Sequence, residues 1–398
     1  MSALDKRIKD VFLKPGARRF NAFSLLVPIA SVILALALGS VLLLFIGINP
    51  LEAYWYLIFS NFSSTYNTAE VLVKATPIAL TGLAFTFAFR TGLFNIGGEG
   101  QMFAGAMAAV FVGLKTGHLP PAVTIGLCLL AAVAAGGIWG LIPGVLKGVF
   151  GSSEIIVTIM FNYVAVYLLS FLVDKPLREA AGFYPQTDMI GENAFLPFLI
   201  QNTRLHIGLI VAIVLSVLVY VILWKTPLGY RLRAVGYNPD GAEYAGINIR
   251  RNMILAMVIS GALAGVAGFT EINGIHHRLM DNFSRNVGFD GIAAALLGGA
   301  TPAGVFLSSI LLGMLQTGAS AMQRGVGVPA NIVSIIQALI IILVLAGNML
   351  RPKLEMRLKR NERNERNERD GRKETTSATS ATSATSATSA LREGSTHE

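Results

Sequence analysis

Residues 90–106 read RTGLFNIGGEGQMFAGA. The run sits inside an oily chain, yet it holds five glycines and a carboxylate, Glu99, where a plain membrane helix has leucine. In lipid every backbone N–H and C=O needs a partner, so irregular backbone survives only against protein or a water-filled cavity. Gly92, Gly97, Gly98, Gly100 and Gly105 therefore suit either close helix packing or a break that lines a pathway. A carboxylate near a span is costly unless it is paired or hydrated, which marks Glu99 as a functional position. Its neighbours Asn95 and Gln101 are uncharged hydrogen-bonding groups, better matched to a neutral, hydroxyl-rich or heterocyclic solute than to an ion. An acidic side chain is also favourable at a helix N-terminus. Glu99 thus reads as a cap or as a pathway group, and the two roles are compatible.

The whole chain supports the membrane reading. Its 398 residues are 53% hydrophobic and 14% charged, with a mean hydropathy of +0.60; soluble domains carry about 25% charged residues. Several apolar runs reach the ~20 residues needed to cross the hydrocarbon core, most plainly 23–48 and 331–350. Spans are expected near 23–48, 70–90, 95–115, 121–146, 154–173, 205–224, 253–272, 287–301, 303–322 and 331–350. The eighth is short and interrupted by Gly298 and Gly299, the mark of a broken or re-entrant helix. The predicted fold is an all-α polytopic membrane protein with about ten transmembrane helices, some broken at glycine.

Lys and Arg concentrate in alternate loops, around Lys14, Lys147, Arg233 and Arg357, which places both termini in the cytoplasm. The net charge of +9 is then a topology signal, and no nucleic-acid partner is expected. Residues 1–22 read as a cytoplasmic N-terminal segment and 23–350 as the membrane domain. Residues 351–398 form a polar tail with NERNERNER at 361–369 and a Thr-Ser-Ala repeat at 376–390. Such low-complexity sequence cannot bury a core and is expected to be disordered. The single cysteine, Cys128, excludes an internal disulfide.

Two further polar interruptions stand out. In GSSEIIVTIMFNYVAVYLL, residues 151–169, Ser152 or Ser153 can cap a helix starting at Glu154. Thr158 and Asn162 then share a face with Glu154, fitting either a cavity-facing inner half or ordinary interhelical hydrogen bonding. In NVGFDGIAAALLGGATPAG, residues 286–304, Asp290 lies near the outer boundary and a Gly-Gly break precedes Pro302. Glycine-interrupted segments in both halves of a chain are the pattern expected where a pathway runs between repeats. Asn95, Glu99, Gln101, Thr158, Asn162 and Asp290 are the candidate pathway residues.

Residues 225–252, KTPLGYRLRAVGYNPDGAEYAGINIRRN, are the longest polar stretch expected on the inside. Asn238-Pro239-Asp240 makes a helix start with proline near the first helical position. A helix of one or two turns over Asp240–Ala245 would end at Gly246.

The four stretches GLFNIGGEGQMFAGA, SEIIVTIMFNYVAVYL, RAVGYNPDGAEYAGI and GFDGIAAALLGG, in that order, resemble the permease subunits of ABC importers of the branched-chain amino acid/ribose class. Within it they are most similar to the nucleoside-uptake branch, whose receptors are lipoproteins of the basic-membrane-protein type. The resemblance covers roughly residues 20–350. It implies a bacterial cytoplasmic-membrane protein whose RAVGYNPDGAEYAGI segment seats a short helix in a groove of a cytoplasmic ATPase. Gly236, Asn238, Asp240, Glu243, Tyr244 and Gly246 are the coupling residues that it implies. Here Gly241-Ala242-Glu243 departs mildly from relatives, which often place alanine before the acidic position. The implied partners are an ATP-hydrolysing subunit with two fused nucleotide-binding domains, a second homologous permease and an external solute-binding lipoprotein. The implied solute is a nucleoside, with a simple sugar such as ribose as the alternative.

The sequence also limits other readings. It has no Gly-Lys-Ser/Thr, hence no phosphate-binding loop of the Walker type, and ATP would be bound by a partner. No catalytic or metal-binding motif is present, and His276 and His277 are adjacent, so they point different ways on a helix. An intramembrane enzyme would have to rest on Glu99 with Asp290 alone. An ion-gradient-driven transporter is the more serious rival, but it lacks a set of buried charges and does not explain the short inner helix.

Overall fold

A computed structural model describes residues 23–347 apart from 181, 183, 282, 284 and 285. The N-terminal segment 1–22 and the tail 351–398 lie outside the described residues. The architecture is helical: α1 Phe23–Phe45, α2 Pro50–Phe59, α3 Thr65–Arg90, α4 Gly98–Thr116, α5 Pro121–Phe150, α6 Glu154–Asp174, α7 Gly208–Lys225, α8 Pro227–Tyr237, α9 Pro239–Tyr244, α10 Ile249–Glu271, α11 Val287–Leu297 and α12 Pro302–Val326. A last helix, α13, runs Ala330–Gly347. No strand forms among the described residues. Isolated bridges join Arg178 to Thr187, Gln186 to Met280 and Phe198 to His206 in the segments around the α6–α7 connection.

Seven of these helices are long and apolar enough to cross a membrane: α3, α5, α6, α7, α10 with the turn that extends it, α12 and α13. The other three expected spans correspond to α1, α4 and α11. The expected span 287–301 is corrected: its helix stops at Leu297. Eleven residues rise only about 16 Å, roughly half the hydrocarbon thickness. The expected span 95–115 begins as helix only at Gly98.

Burial is inverted relative to a soluble bundle. On α7, Ile213, Val214, Val217 and Leu218 are exposed while Ala212, Ser216 and Val219 are buried. An apolar face of that size is stable only against hydrocarbon or another helix. The centre is α3, buried at every residue from Ala75 to Arg90.

Glycine sets how closely the helices approach. Gly136, Gly140, Gly144 and Gly148 recur every fourth residue along α5, so they form one stripe. A Cβ at Gly136 would overlap the carbonyl oxygen of Gly261 on α10, and one at Gly140 that of Met257. Lipid supplies no hydrophobic drive between helices, so backbone-close packing of this kind holds them together. α4 crosses α10 the same way, Gly105 against Gly265.

Candidate functional site

The chain breaks where the sequence predicts, and the two breaks meet. After α3 ends at Arg90, residues 91–97 run without helix and Gly92 has φ +83°. α4 then starts at Gly98 with Glu99 in its first turn. The first turn of α11 lies against it: the Gly288 N–H donates to Glu99 Oε2 at 2.5 Å. Thr81 of α3 donates its hydroxyl to the neighbouring Val287 carbonyl at 3.2 Å. Thr81 stands roughly 13 Å along the axis from Arg90. Two helix N-termini therefore converge inside the bundle rather than at its end, with an acidic side chain between them, where the positive ends of the helix dipoles favour it.

Four of the other five candidate pathway residues pack around this point. Asn95 donates to Gln101 Oε1 at 2.9 Å and to Ser260 Oγ at 2.7 Å. Its Oδ1 accepts from the Gly97 N–H at 2.9 Å. Ser260 of α10 in turn donates to the Ala84 carbonyl at 2.6 Å. Asn162 of α6 clamps the break, donating to the Ile96 carbonyl at 3.0 Å and accepting from the Gly100 N–H at 2.8 Å. Thr158 is buried and donates to the Glu154 carbonyl of its own helix at 2.7 Å. A Cβ on Gly97 would fall 3.1 Å from the Thr158 Cβ, so a larger residue there would crowd α6. Glu154 faces outward from the group and pairs with Lys147 at 2.9 Å. Asn95, Glu99, Gln101, Thr158 and Asn162 are all buried. They form a closed hydrogen-bonded plug.

Asp290, the sixth, sits one turn into α11 and accepts from Gln316 Nε2 of α12 at 2.7 Å. Gln316 also lines a cavity of about 400 Å³. The cavity is walled by the first turns of α3 (Tyr66, Glu70, Lys74), the end of α10 (Glu271, His276) and the last turns of α12. Because α10 begins next to α9 and ends here, the cavity opens at the end of the bundle opposite α8 and α9. Val287 closes its floor, and the Glu99 contact lies directly below. Glu70 pairs with Arg204 at 2.6 Å, and Glu271 with His276 at 3.3 Å. Lys74 donates to the Gln316 carbonyl at 3.3 Å. Reasoning from sequence missed Glu271, Lys74, Gln316 and Ser260. Glu271 had a usable signal, since it is a carboxylate inside the expected span 253–272. Gln316 and Ser260 are ordinary polar residues whose partners come from distant helices, so nothing local marks them.

At the opposite end the short helix stands at the predicted place. α9 covers Pro239–Tyr244, and the Asn238 side chain caps it by accepting from the Gly241 N–H at 3.2 Å. Gly246 leaves it at φ +77°. Asp240, Glu243 and Tyr244 project outward, with Tyr244 95% exposed. Gly236, in the last turn of α8, is buried against the first break: a Cβ there would overlap the Arg90 carbonyl oxygen and come within 3.0 Å of the Gly92 nitrogen. Arg90 reaches the second break, donating from Nε to the Ala300 carbonyl at 2.8 Å and from Nη2 to that of Gly299 at 3.2 Å. The polar end helices and both breaks thus touch through one arginine and two glycines.

Known proteins match this chain along nearly all of its helical part. It is 43% identical to the guanosine ABC transporter permease protein NupP of Bacillus subtilis (strain 168), over 82% of this chain and 94% of that one. It is 37% identical to the nucleoside ABC transporter permease protein NupB of Lactococcus lactis subsp. cremoris (strain MG1363), over 79% and 89%. It is 34% identical to the glucose ABC transporter permease protein TsgB13 of Haloferax volcanii, over 81% and 88%. No solved structure matches it. The family model for the permease component of the branched-chain amino acid transport system matches residues 67–345. A multi-pass helical membrane protein with broken helices meeting at its centre, and with this family's sequence along its length, belongs to that permease family.

Proposed function

We propose that this chain is the membrane permease of an ATP-driven importer whose solute is a nucleoside, guanosine being the first to test. The observation that carries the reading is its 43% identity to a guanosine permease over 94% of that protein's length. The geometry supports it: α9 offers exposed Asp240, Glu243 and Tyr244 to a partner, and α8 rests on the break that α4 follows. In this reading the α8–α9 end, rich in Lys and Arg, is cytoplasmic, ten spans cross the bacterial cytoplasmic membrane, and both termini lie inside. An ATPase subunit with two fused nucleotide-binding domains binds the ATP and pushes on residues 225–252. A second homologous permease completes the pathway, and an external lipoprotein delivers the solute to the cavity end. Asn95, Glu99, Gln101, Thr158, Asn162 and Asp290 form the closed section of that pathway. Rigid-body rocking of packed helices opens it.

Similarity to a glucose permease at 34% identity keeps a simple sugar as the second reading. Uptake of labelled guanosine into vesicles holding the full complex decides between them. ATP-dependent uptake that ionophores leave intact, competed by uridine and not by glucose or ribose, is the expected outcome. Competition by the sugars alone would favour the second reading. Uptake by this chain without an ATPase, abolished by an ionophore, would overturn both.

A further inference from the structure

We infer that the cavity above the plug is a solute-holding site of this chain itself, and that Glu271 with His276 grips the vicinal hydroxyls of a ribose-bearing solute there. The inference rests on the nucleoside reading for its ligand class. It adds a binding site within the permease, distinct from recognition by an external receptor.

The local backbone is built for this pair. Glu271 and His276 are five residues apart, which on an α-helix places them about 140° apart. The helix instead continues from Glu271 into a π-helical turn over Ile272–His276, closed by the His277 N–H on the Ile272 carbonyl at 2.7 Å. The wider i→i+5 winding brings the two side chains to one face, and such turns recur at functional sites. The result is the 3.3 Å contact between His276 Nε2 and Glu271 Oε2 in the cavity wall. A carboxylate accepts from both hydroxyls of a 1,2-diol, and charged acceptors make the stronger hydrogen bonds.

The surroundings select against ions. Glu70 is met by Arg204 and Glu271 by His276, so neither carboxylate stands alone for a cation. An anion entering the cavity meets Glu271 at close range. A volume of about 400 Å³ lies within the range of small-molecule sites. Tyr66 and Phe283 in the wall offer ring faces to a heterocycle. Beneath, Gln316 connects the wall to Asp290, and α11 reaches the plug at Glu99. Occupation of the cavity therefore acts directly on the helix that closes it.

The test places a reporter in the wall. Ser320 lines the cavity, so a Ser320→Cys, Cys128→Ser protein in the full complex is labelled with a small thiol reagent, with and without guanosine. Guanosine is expected to slow labelling severalfold. Glu271→Gln and His276→Ala should each leave the guanosine-free labelling rate unchanged and raise the half-protecting concentration roughly tenfold, the worth of one good hydrogen bond. The 2′,3′-dideoxy analogue should protect about tenfold less well than guanosine in the parent and no differently in Glu271→Gln. Uptake of guanosine is read in the same vesicles. A complex that takes up guanosine while labelling at Ser320→Cys ignores it overturns the cavity site. A complex that takes up no nucleoside overturns the nucleoside reading instead.

Discussion

The Gly288 N–H and the Glu99 carboxylate meet at 2.5 Å, although 189 residues separate them in the chain. Each lies in the first turn of a helix that begins inside the bundle. A Cβ at Gly288 would collide with the Glu99 backbone, so glycine is what lets the two helix starts approach. Glu99 acts as an N-terminal acid for its own helix and as an acceptor for the other.

That contact makes Glu99 substitutions separable. Glu99→Gln keeps an acceptor oxygen and should leave the protein assembled, with uptake reduced. Glu99→Ala leaves the buried Gly288 N–H without this acceptor, at about 1–3 kcal/mol. It should lower the thermal midpoint of the purified complex as well as uptake. Equal stability and full uptake in both variants would remove the plug from the transport cycle.

Asn95→Leu should be the more damaging change. It strips partners from Gln101, Ser260 and the Gly97 N–H at once. Uptake is expected to fall more than in Glu99→Gln, and Ser260→Ala, which removes one of the three, should have an intermediate effect. Measuring initial uptake rates at matched membrane abundance checks the ranking.

Gly236 tests transmission from the polar end. Gly236→Val would drive a side chain into the Arg90 carbonyl and lift α8 away from the break. With the complex still assembled, ATP hydrolysis should continue while solute moved per ATP falls severalfold. Gly236→Ala should show a smaller loss of the same kind. A fall in hydrolysis and uptake in strict proportion would make Gly236 a docking residue only.

Gly246 isolates backbone conformation from packing. Its φ is +77° and no atom lies within 4 Å of a would-be Cβ, so substitution meets strain and no clash. Gly246→Asn should be tolerated, since Asn enters the left-handed region readily, whereas β-branched Gly246→Val should not. Glu243→Lys, on the exposed face, should weaken co-purification with the ATPase without changing the protein's own thermal midpoint.

Topology is checked with single cysteines at Lys147 and Arg233 in a Cys128→Ser background. Both sites should resist an impermeant thiol reagent applied to intact cells. Labelling of Arg233→Cys from outside would invert the orientation and remove the short helix from the cytoplasm.

Much of this protein was determined by local sequence alone. Long apolar runs dictate membrane helices because no other element satisfies its own backbone in lipid. Glycine clusters at 92–100 and at 298–299 dictate breaks because glycine favours neither helix nor lipid contact. Asn238, Pro239 and Gly246 specify the start and stop of a six-residue helix through cap chemistry that acts within four residues. Tertiary structure decided which polar residues meet. Ser260 finds Asn95 and Gly288 finds Glu99 across more than 160 residues, and a hydrogen bond between helices leaves no periodic trace in either. The length of α11 and the π turn that turns His276 towards Glu271 are likewise set by packing, because a helix interrupted inside protein ends where its neighbours supply partners.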